Sequence, residues 1–191
     1  MINIISISAP SGSGKTTLCR ALQKEHPEVN WSVSCTTREP RPFEVNGIDY
    51  NFITHEKFEE KINAGDFAEY EDVHGEYYGT LKITLDNAIG ANSFLLLELD
   101  VKGSMHIKKL YPDNAFSIFI LPPSMDHLRD RLRKRGADSE ERIEKRLQRF
   151  EEELGYKNKF DYILINENIE DATKELLKVV NQLNEGVIHG T

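Results

Sequence analysis

Residues 2–25 read INIISISAPSGSGKTTLCRALQKE, and the fold class turns on how this stretch is parsed. Ile2 to Ile7 is a β-branched run that predicts a buried first strand. A Gly/Ser loop follows, and Lys15 to Glu25 then carries a helical pattern. Ala9-Pro10-Ser11-Gly12-Ser13-Gly14-Lys15-Thr16 fits the spacing G-x-x-x-x-G-K-[ST], with Ala in the first place. A strand before and a helix after are the context that spacing requires. Gly12 and Gly14 let the backbone turn so that successive N–H groups face phosphate oxygens. The helix N-terminus adds partial positive charge. In such a loop Lys15 reaches the β- and γ-phosphates and the Thr16 hydroxyl ligates Mg²⁺. Ser11, Gly12, Ser13, Gly14, Lys15, Thr16 and Thr17 therefore form a candidate nucleoside triphosphate site; the bland alternative is a Gly/Ser loop ahead of a helix cap. The motif leaves the phosphoryl acceptor open.

Working outward, Phe94 to Leu99, Phe116 to Leu121 and Tyr162 to Ile165 are near-continuous apolar runs, as in strands buried on both faces. Trp31 to Cys35 reads as a short second strand. Helical patterns cover Val101 to Leu110, Met125 to Lys134, Ser139 to Asn158 and Glu170 to Asn184. This alternation predicts an α/β class with a parallel sheet core flanked by helices. Residues 37–91 differ, with Pro40, Pro42, Gly47 and polar-aromatic pieces such as IDYNF. They read as an inserted subdomain of short, half-exposed strands and tight turns, with Phe58, Ile62 and Phe67 as a small core. The expected division is a single domain, residues 1–191. Its core comes from 1–36, 92–124 and 159–191, its inserted subdomain from 37–91, and a lid with its adjoining helix from 125–158.

Of 191 residues, 24 are Lys or Arg and 32 are Asp or Glu, a net charge of −8. That balance speaks against binding nucleic acid through its backbone and against a polybasic membrane surface. No apolar run approaches the roughly 20 residues of a membrane span. The first residues have no basic segment ahead of their apolar stretch, unlike a signal peptide. Two cysteines, Cys19 and Cys35, make no disulfide framework, and no histidine cluster has metal-ligand spacing. A soluble cytoplasmic protein is expected, with no nucleic-acid or membrane partner; the oligomeric state is left open.

The charge is unevenly placed. Residues 129–149 hold seven of the ten arginines and two lysines against five acids, a segment of +4 in a remainder of −12. Arg131 and Arg135 share one helix face, and Arg142, Arg146 and Arg149 line a face of the next. Arg135-Gly136 separates the two helices, so the pair reads as a hairpin that closes over phosphates and excludes water. Arg129, Arg133 and Arg149 read as solvated.

The acceptor has its own signals. Arg38 and Arg41, in a proline-stiffened loop, make a fork for a dianionic phosphate, unless this is only a solvated polar loop. Tyr50 and Tyr78 add phenol donors. Glu69 sits among apolar neighbours, and a carboxylate there accepts two hydrogen bonds from guanine, N1–H and the 2-amino group. Adenine offers neither, which leaves a buried charge unpaired. Ser34 and Thr80 supply hydroxyls for the base edge. From sequence alone, an exposed strand carboxylate is the plainer reading of Glu69.

SVSCTTREPR (residues 32–41), VNGIDYNF (45–52), YYGT (77–80) and LELDVKG (97–103) together resemble the guanylate kinase family. The resemblance runs from ISAPSGSGKTTL to YILINENI, nearly the whole chain. It implies transfer of the γ-phosphoryl group of ATP to GMP or dGMP, giving ADP and GDP or dGDP, with Mg²⁺, in purine nucleotide metabolism. It implies that Arg38, Arg41, Tyr50 and Tyr78 hold the GMP phosphate and that Ser34, Glu69, Thr80 and Asp100 form the guanine and ribose side. With Lys15 and Arg38, it gives catalytic roles to Arg135 and Arg146 and a supporting place in the lid to Arg131 and Arg142. Asn166 becomes an adenine-side contact. The chain departs from the family at Phe43, where Gly is usual, at Thr80 for Ser, at Glu98 for a shorter acid, and at Glu167 for Asp. Two rivals stand beside this reading. One is a related interaction module that binds a phosphorylated peptide, against which Lys15, Thr16 and the lid arginines argue. The other is a P-loop kinase acting on a different phosphorylated metabolite.

Overall fold

The computed structural model describes residues 1–73, 75–134 and 139–188. The first strand, β1 (Ile4–Ser8), is buried along its whole length. It lies at the centre of a five-stranded sheet. On one side it pairs in parallel with β7 (Leu95–Glu98), which in turn pairs with the two-residue β2 (Asn30–Trp31). On the other it pairs in parallel with β8 (Ala115–Leu121), and β8 with β9 (Tyr162–Ile165). Near-continuous apolar strands need helices over both faces, and the chain supplies them. Helices α1 (Lys15–Glu25) and α7 (Ile169–Asn184) cover one face, where Leu18, Leu22, Leu176 and Val180 meet Ile5, Ile7 and Ile118. Helices α3 (Lys82–Gly90) and α4 (Val101–Leu110) cover the other through Leu85, Ala88 and Ile107. In such a sheet, ligands bind beyond the carboxyl ends of the strands where the order reverses, here beside β1.

A smaller four-stranded sheet stands apart. Its order is β4 (Asn51–Phe52), β3 (Cys35–Thr36), β6 (Glu76–Leu81), β5 (Phe67–Val73). Cys35 therefore opens a strand of this second sheet, and the predicted strand from Trp31 to Cys35 divides between two sheets. The polar-aromatic pieces in 37–91 do form the expected strands, β4, β5 and β6, but the stretch also holds helices that their pattern does not predict. Two helices lie there, α2 (His55–Ala64) and α3. Thr54 caps α2 by accepting from the Lys57 amide, and Gly65 closes it in the left-handed region. Phe58, Cys35 and Phe67 form the small core, with Ile62 packed against it.

Helices α5 (Met125–Lys134) and α6 (Glu140–Leu154) make the predicted pair, joined by apolar contacts with Phe119 and Phe160 below them. Ser139 caps α6 through the Arg142 amide. A 3₁₀ turn, Lys157–Lys159, leads back into β9. No described helix is long and apolar enough to cross a membrane.

Phe58 is fully buried and stacks on Phe67 at 4.3 Å and on Tyr77 at 5.2 Å between ring centroids. Phe58→Ala empties the centre of this small core and is expected to cost about 3–5 kcal/mol, typical of a buried Phe→Ala change. The check is urea denaturation, read as a lower midpoint with an unchanged slope.

Candidate active site

The phosphate loop runs from the end of β1 to the start of α1. Gly12 and Gly14 hold φ of 98° and 90°, a left-handed conformation open to glycine at little cost. A cavity of about 570 Å³ opens over the loop, walled by Ser11, Gly12, Gly14, Lys15, Thr16, Thr17, Asp100 and Arg146 among others. The Lys15 ammonium donates to the Leu99 carbonyl at 3.3 Å. From α6, Arg146 crosses the cavity and donates to Ser11 Oγ at 2.8 Å. Helix α6 and the loop are thus in touch.

Asn166 stands behind the loop and not on the cavity wall. It is 3% exposed and donates from Nδ2 to the Ser13 carbonyl at 2.7 Å. A Cβ on Gly14 would lie 2.5 Å from that same Nδ2, so the loop glycine and the buried amide are fitted to each other. Arg131 turns to this side too, donating to the carbonyls of Asn166 and Glu167 at 2.8 and 2.9 Å. Ser13 is likewise buried. Arg135 lies outside the described residues.

Across the sheet edge, a cavity of about 200 Å³ brings Ser34, Tyr50, Glu69, Tyr78 and Asp100 onto one wall, with Glu71 and Glu98 beside them. Arg38 is not on that wall but is tied to its Tyr78, and it lines a neighbouring cavity with Thr37, Glu39 and Pro40. Nε donates to the Tyr78 hydroxyl at 3.2 Å, Nη1 to the Glu39 carbonyl and to Glu44, and Nη2 to the other Glu44 oxygen at 2.9 Å. Four of five N–H groups are engaged, which leaves one for a ligand. Glu44 also accepts from the Arg41 amide at 2.8 Å, and the Arg41 guanidinium stands in solvent. The turn at Phe43 needs no left-handed residue, so a side chain there is tolerated, and it projects outward at 77% exposure.

Glu69 is not the exposed carboxylate that the bare sequence favoured. The β5–β6 register shifts between Phe67 and Glu69, and this irregularity sets Glu69 opposite Thr80. The Thr80 hydroxyl then donates to Glu69 at 2.6 Å. Burial pushes Glu69 up to about 7, against the pull of that hydrogen bond, and the neighbouring Asp100 and Glu71 charges push the same way. Glu71, two residues along the same strand face, is also raised, by burial and then by Asp100. Burial likewise raises the Tyr50 phenol, which stays a neutral donor. Asp100 caps α4 by accepting from the Gly103 amide at 2.7 Å. A Cβ on Gly103 would stand 3.1 Å from Asp100 and 3.2 Å from Glu69, so the missing side chain admits both carboxylates.

Sequence reasoning missed Glu71, although its alternation with Glu69 was a signal. It also missed Ser8, whose hydroxyl lies 3.0 Å from the Leu99 carbonyl, 2.9 Å from that of Asp100 and 2.8 Å from Ser104 Oγ. No periodicity marks such a contact. Among oxygen donors suited to a hard cation, the Thr16 hydroxyl and the Asp100 carboxylate face one cavity. Glu98 adds a buried oxygen with no hydrogen-bond partner. Cys19, packed by Glu98, has its thiol pushed well up by burial, and so is an inert core group.

Comparison with known proteins agrees with this geometry. A family model described as guanylate kinase matches residues 1–183. A guanylate kinase of Chlorobium luteolum is 42% identical over 178 residues, which is 93% of this chain and 90% of that protein. One from Methylobacillus flagellatus is 45% identical over 178 residues, 93% of this chain and 88% of that protein. The crystal structure of guanylate kinase from Anaplasma phagocytophilum matches with a TM-score of 0.75 at 28% identity, covering 94% of this chain and 85% of that one.

Glu69 holds a proton more tightly in the folded chain than in the unfolded one. Between its ordinary value of 4.5 and about 7, the folded state carries the extra proton, so stability falls as pH rises through that window. Glu69→Gln has no proton to lose there. Relative to this variant, the ligand-free wild type is expected to lose about 2–3 kcal/mol between pH 4.5 and 7.5. Denaturation curves of both proteins at several pH values measure it; stabilities that run parallel would show an ordinary carboxylate.

Proposed function

The chain belongs to the guanylate kinase family, and we propose that the parts of its site divide between them the transfer of the γ-phosphoryl group of ATP to GMP, giving ADP and GDP. One observation carries this division: the phosphate-loop cavity and the acceptor cavity share Leu99 and Asp100 as a common wall. A donor and an acceptor seated in the two cavities meet at that wall. Phosphoryl transfer asks for in-line placement and for positive charge on the moving group, and little else from the protein. The acceptor atom is a phosphate oxygen, anionic already, so no general base is needed.

On the donor side, Ser11 through Thr17 cradle the triphosphate, and Lys15 leaves the Leu99 carbonyl for the β- and γ-phosphates. Arg146, now on Ser11, lies within reach of the same oxygens. Arg135 joins it in our reading from the sequence resemblance alone. Arg131 and Asn166 serve the nucleotide from behind, by bracing the loop and the 166–167 turn. On the acceptor side, Arg38 and Arg41 take the phosphate of GMP with the Tyr50 and Tyr78 phenols. Glu44 keeps Arg38 in one rotamer, so little side-chain entropy is lost on binding. Ser34, Glu69, Thr80 and Asp100 form the guanine and ribose side. Guanine offers two N–H donors to Glu69 and favours its charged form. AMP offers neither of those N–H donors, so the carboxylate would keep only the Thr80 hydroxyl. dGMP fits the same base contacts.

Mg²⁺, general in this chemistry, suits the hard oxygen donors Thr16 and Asp100, which we propose hold it, with Glu98 behind them. When bound, it would offset the negative charge of the phosphates. We place the activity in the cytoplasm, where ATP is plentiful and the two free, buried cysteines stay reduced.

The test is a panel of nucleoside monophosphates with ATP and Mg²⁺ in a coupled ADP-release assay. GMP and dGMP are expected to turn over and AMP, CMP and UMP to fail; binding without turnover would leave only an interaction module. Lys15→Ala and Arg38→Ala are each expected to lower kcat/KM by on the order of 10²–10³-fold. Near-normal rates in either variant would overturn its role. Glu69→Ala is expected to narrow the GMP-to-AMP ratio, and an unchanged ratio would remove Glu69 as the base reader.

A further inference from the structure

Glu153 sits where a surface helix has no need of a carboxylate. It lies one residue from the end of α6, is 9% exposed, and faces the phosphate-loop cavity with Lys15, Thr16, Asp100, Arg146 and Arg149. Its Oε1 accepts from Arg149 Nε at 3.0 Å, while its buried Oε2 has no partner. An ordinary i,i+4 ion pair on a helix is solvated at both ends and stabilises by a few tenths of a kcal/mol. This one is asymmetric: the Glu153 side chain is 12% exposed and that of Arg149 57%. The acid is sunk in the wall and the base stands out in the cavity.

That asymmetry has a geometric result. A carboxylate on Nε restricts how the guanidinium can turn and leaves the far edge, with an N–H from each Nη, as a fork shaped for phosphate oxygens. Among the described residues, neither Nη of Arg149 has a hydrogen-bond partner. Arg149 also borders a second cavity, with Glu71, Asp100 and Lys102, on the acceptor flank. Its charge reaches Glu71 there, drawing that carboxyl down against burial. The guanidinium thus stands between the Lys15 side and the Glu71 side, beside the wall at which donor and acceptor meet.

We propose that Arg149 is a further catalytic residue of this chain, contacting the phosphoryl group in transfer, and that Glu153 is its positioning residue. The proposal rests on the kinase reading above and adds to it a residue that the sequence marked as solvated. Arg149 supplies positive charge where the transition state spreads negative charge over the equatorial oxygens. Glu153 supplies no charge to the reaction. It removes the rotamer freedom that an arginine on a helix surface otherwise keeps.

The test uses the full chain with ATP, Mg²⁺ and GMP. Arg149→Ala is expected to lower kcat by on the order of 10²–10³-fold, the scale of one lost transition-state donor, with both KM values within about threefold of wild type. Millimolar methylguanidine is expected to restore part of that rate, which a merely structural arginine would not allow. Glu153→Ala is expected to lower kcat by roughly 5–20-fold, and the double variant to be no slower than Arg149→Ala, because a positioning residue has nothing left to position. Should Glu153→Ala not fold, Glu153→Gln keeps the shape, and its loss must also vanish in the Arg149→Ala background. Arg149→Ala with kcat within twofold of wild type, an absence of rescue, or losses that multiply in the double variant would each overturn the proposal. A wild-type chain that turns over no GMP would sink the kinase reading and this proposal with it. An active wild type with a normal Arg149→Ala would sink the proposal alone.

Discussion

One small joint supports both halves of the site. The Ser8 hydroxyl, at the end of the central strand, bonds the backbone carbonyls of Leu99 and Asp100 and meets Ser104 on α4. The phosphate loop leaves the sheet just after Ser8. The shared wall of the two cavities begins at Leu99. A buried hydroxyl with several partners fixes position in a way that apolar contact does not, because its geometry is directional. The relation between donor loop and acceptor wall is therefore set inside the sheet, ahead of any ligand.

Around that wall the ligand-free charges are out of balance. Glu69, Glu71 and Asp100 crowd the acceptor side, and burial and mutual repulsion raise the first two. Glu44 occupies Arg38. Substrates correct this. In the proposed binding mode, phosphates would bring negative charge to the arginines and a guanine base would bring donors to Glu69. Binding energy arises where the empty site is least comfortable, which keeps it specific to ligands with both features. A net charge of −8 is no obstacle, since the charges that matter are local.

The parallel core was legible because strands buried on both faces leave long apolar runs, and the phosphate loop because its spacing is a physical requirement. Boundaries in 37–91 were not. The helix at His55–Ala64 has its signals in Thr54 and Gly65, yet the prolines and aromatic pieces around it spoke for strands. Trp31 to Cys35 looked like one strand because local pattern does not say that the chain changes sheets. For the site, residue types were readable and orientations were not. Glu69 became a buried carboxylate only through a register irregularity opposite Thr80, and Asn166 turned out to serve the loop from behind. The Glu153–Arg149 pair has common helix spacing; only depth distinguishes it.

The bond from Asn166 to Ser13 also has a bearing on how the protein is made. It spans 153 positions of chain. During synthesis the first strand, the loop and α1 emerge early, but the amide that braces the loop emerges 153 positions after Ser13. Until then the glycines lack their support, and the long closure has yet to be made. The brace on the loop is thus in place only once Asn166 has left the ribosome. A chain cut short before β9 has the motif without the brace, so the brace ties competence for phosphate to completion of the fold.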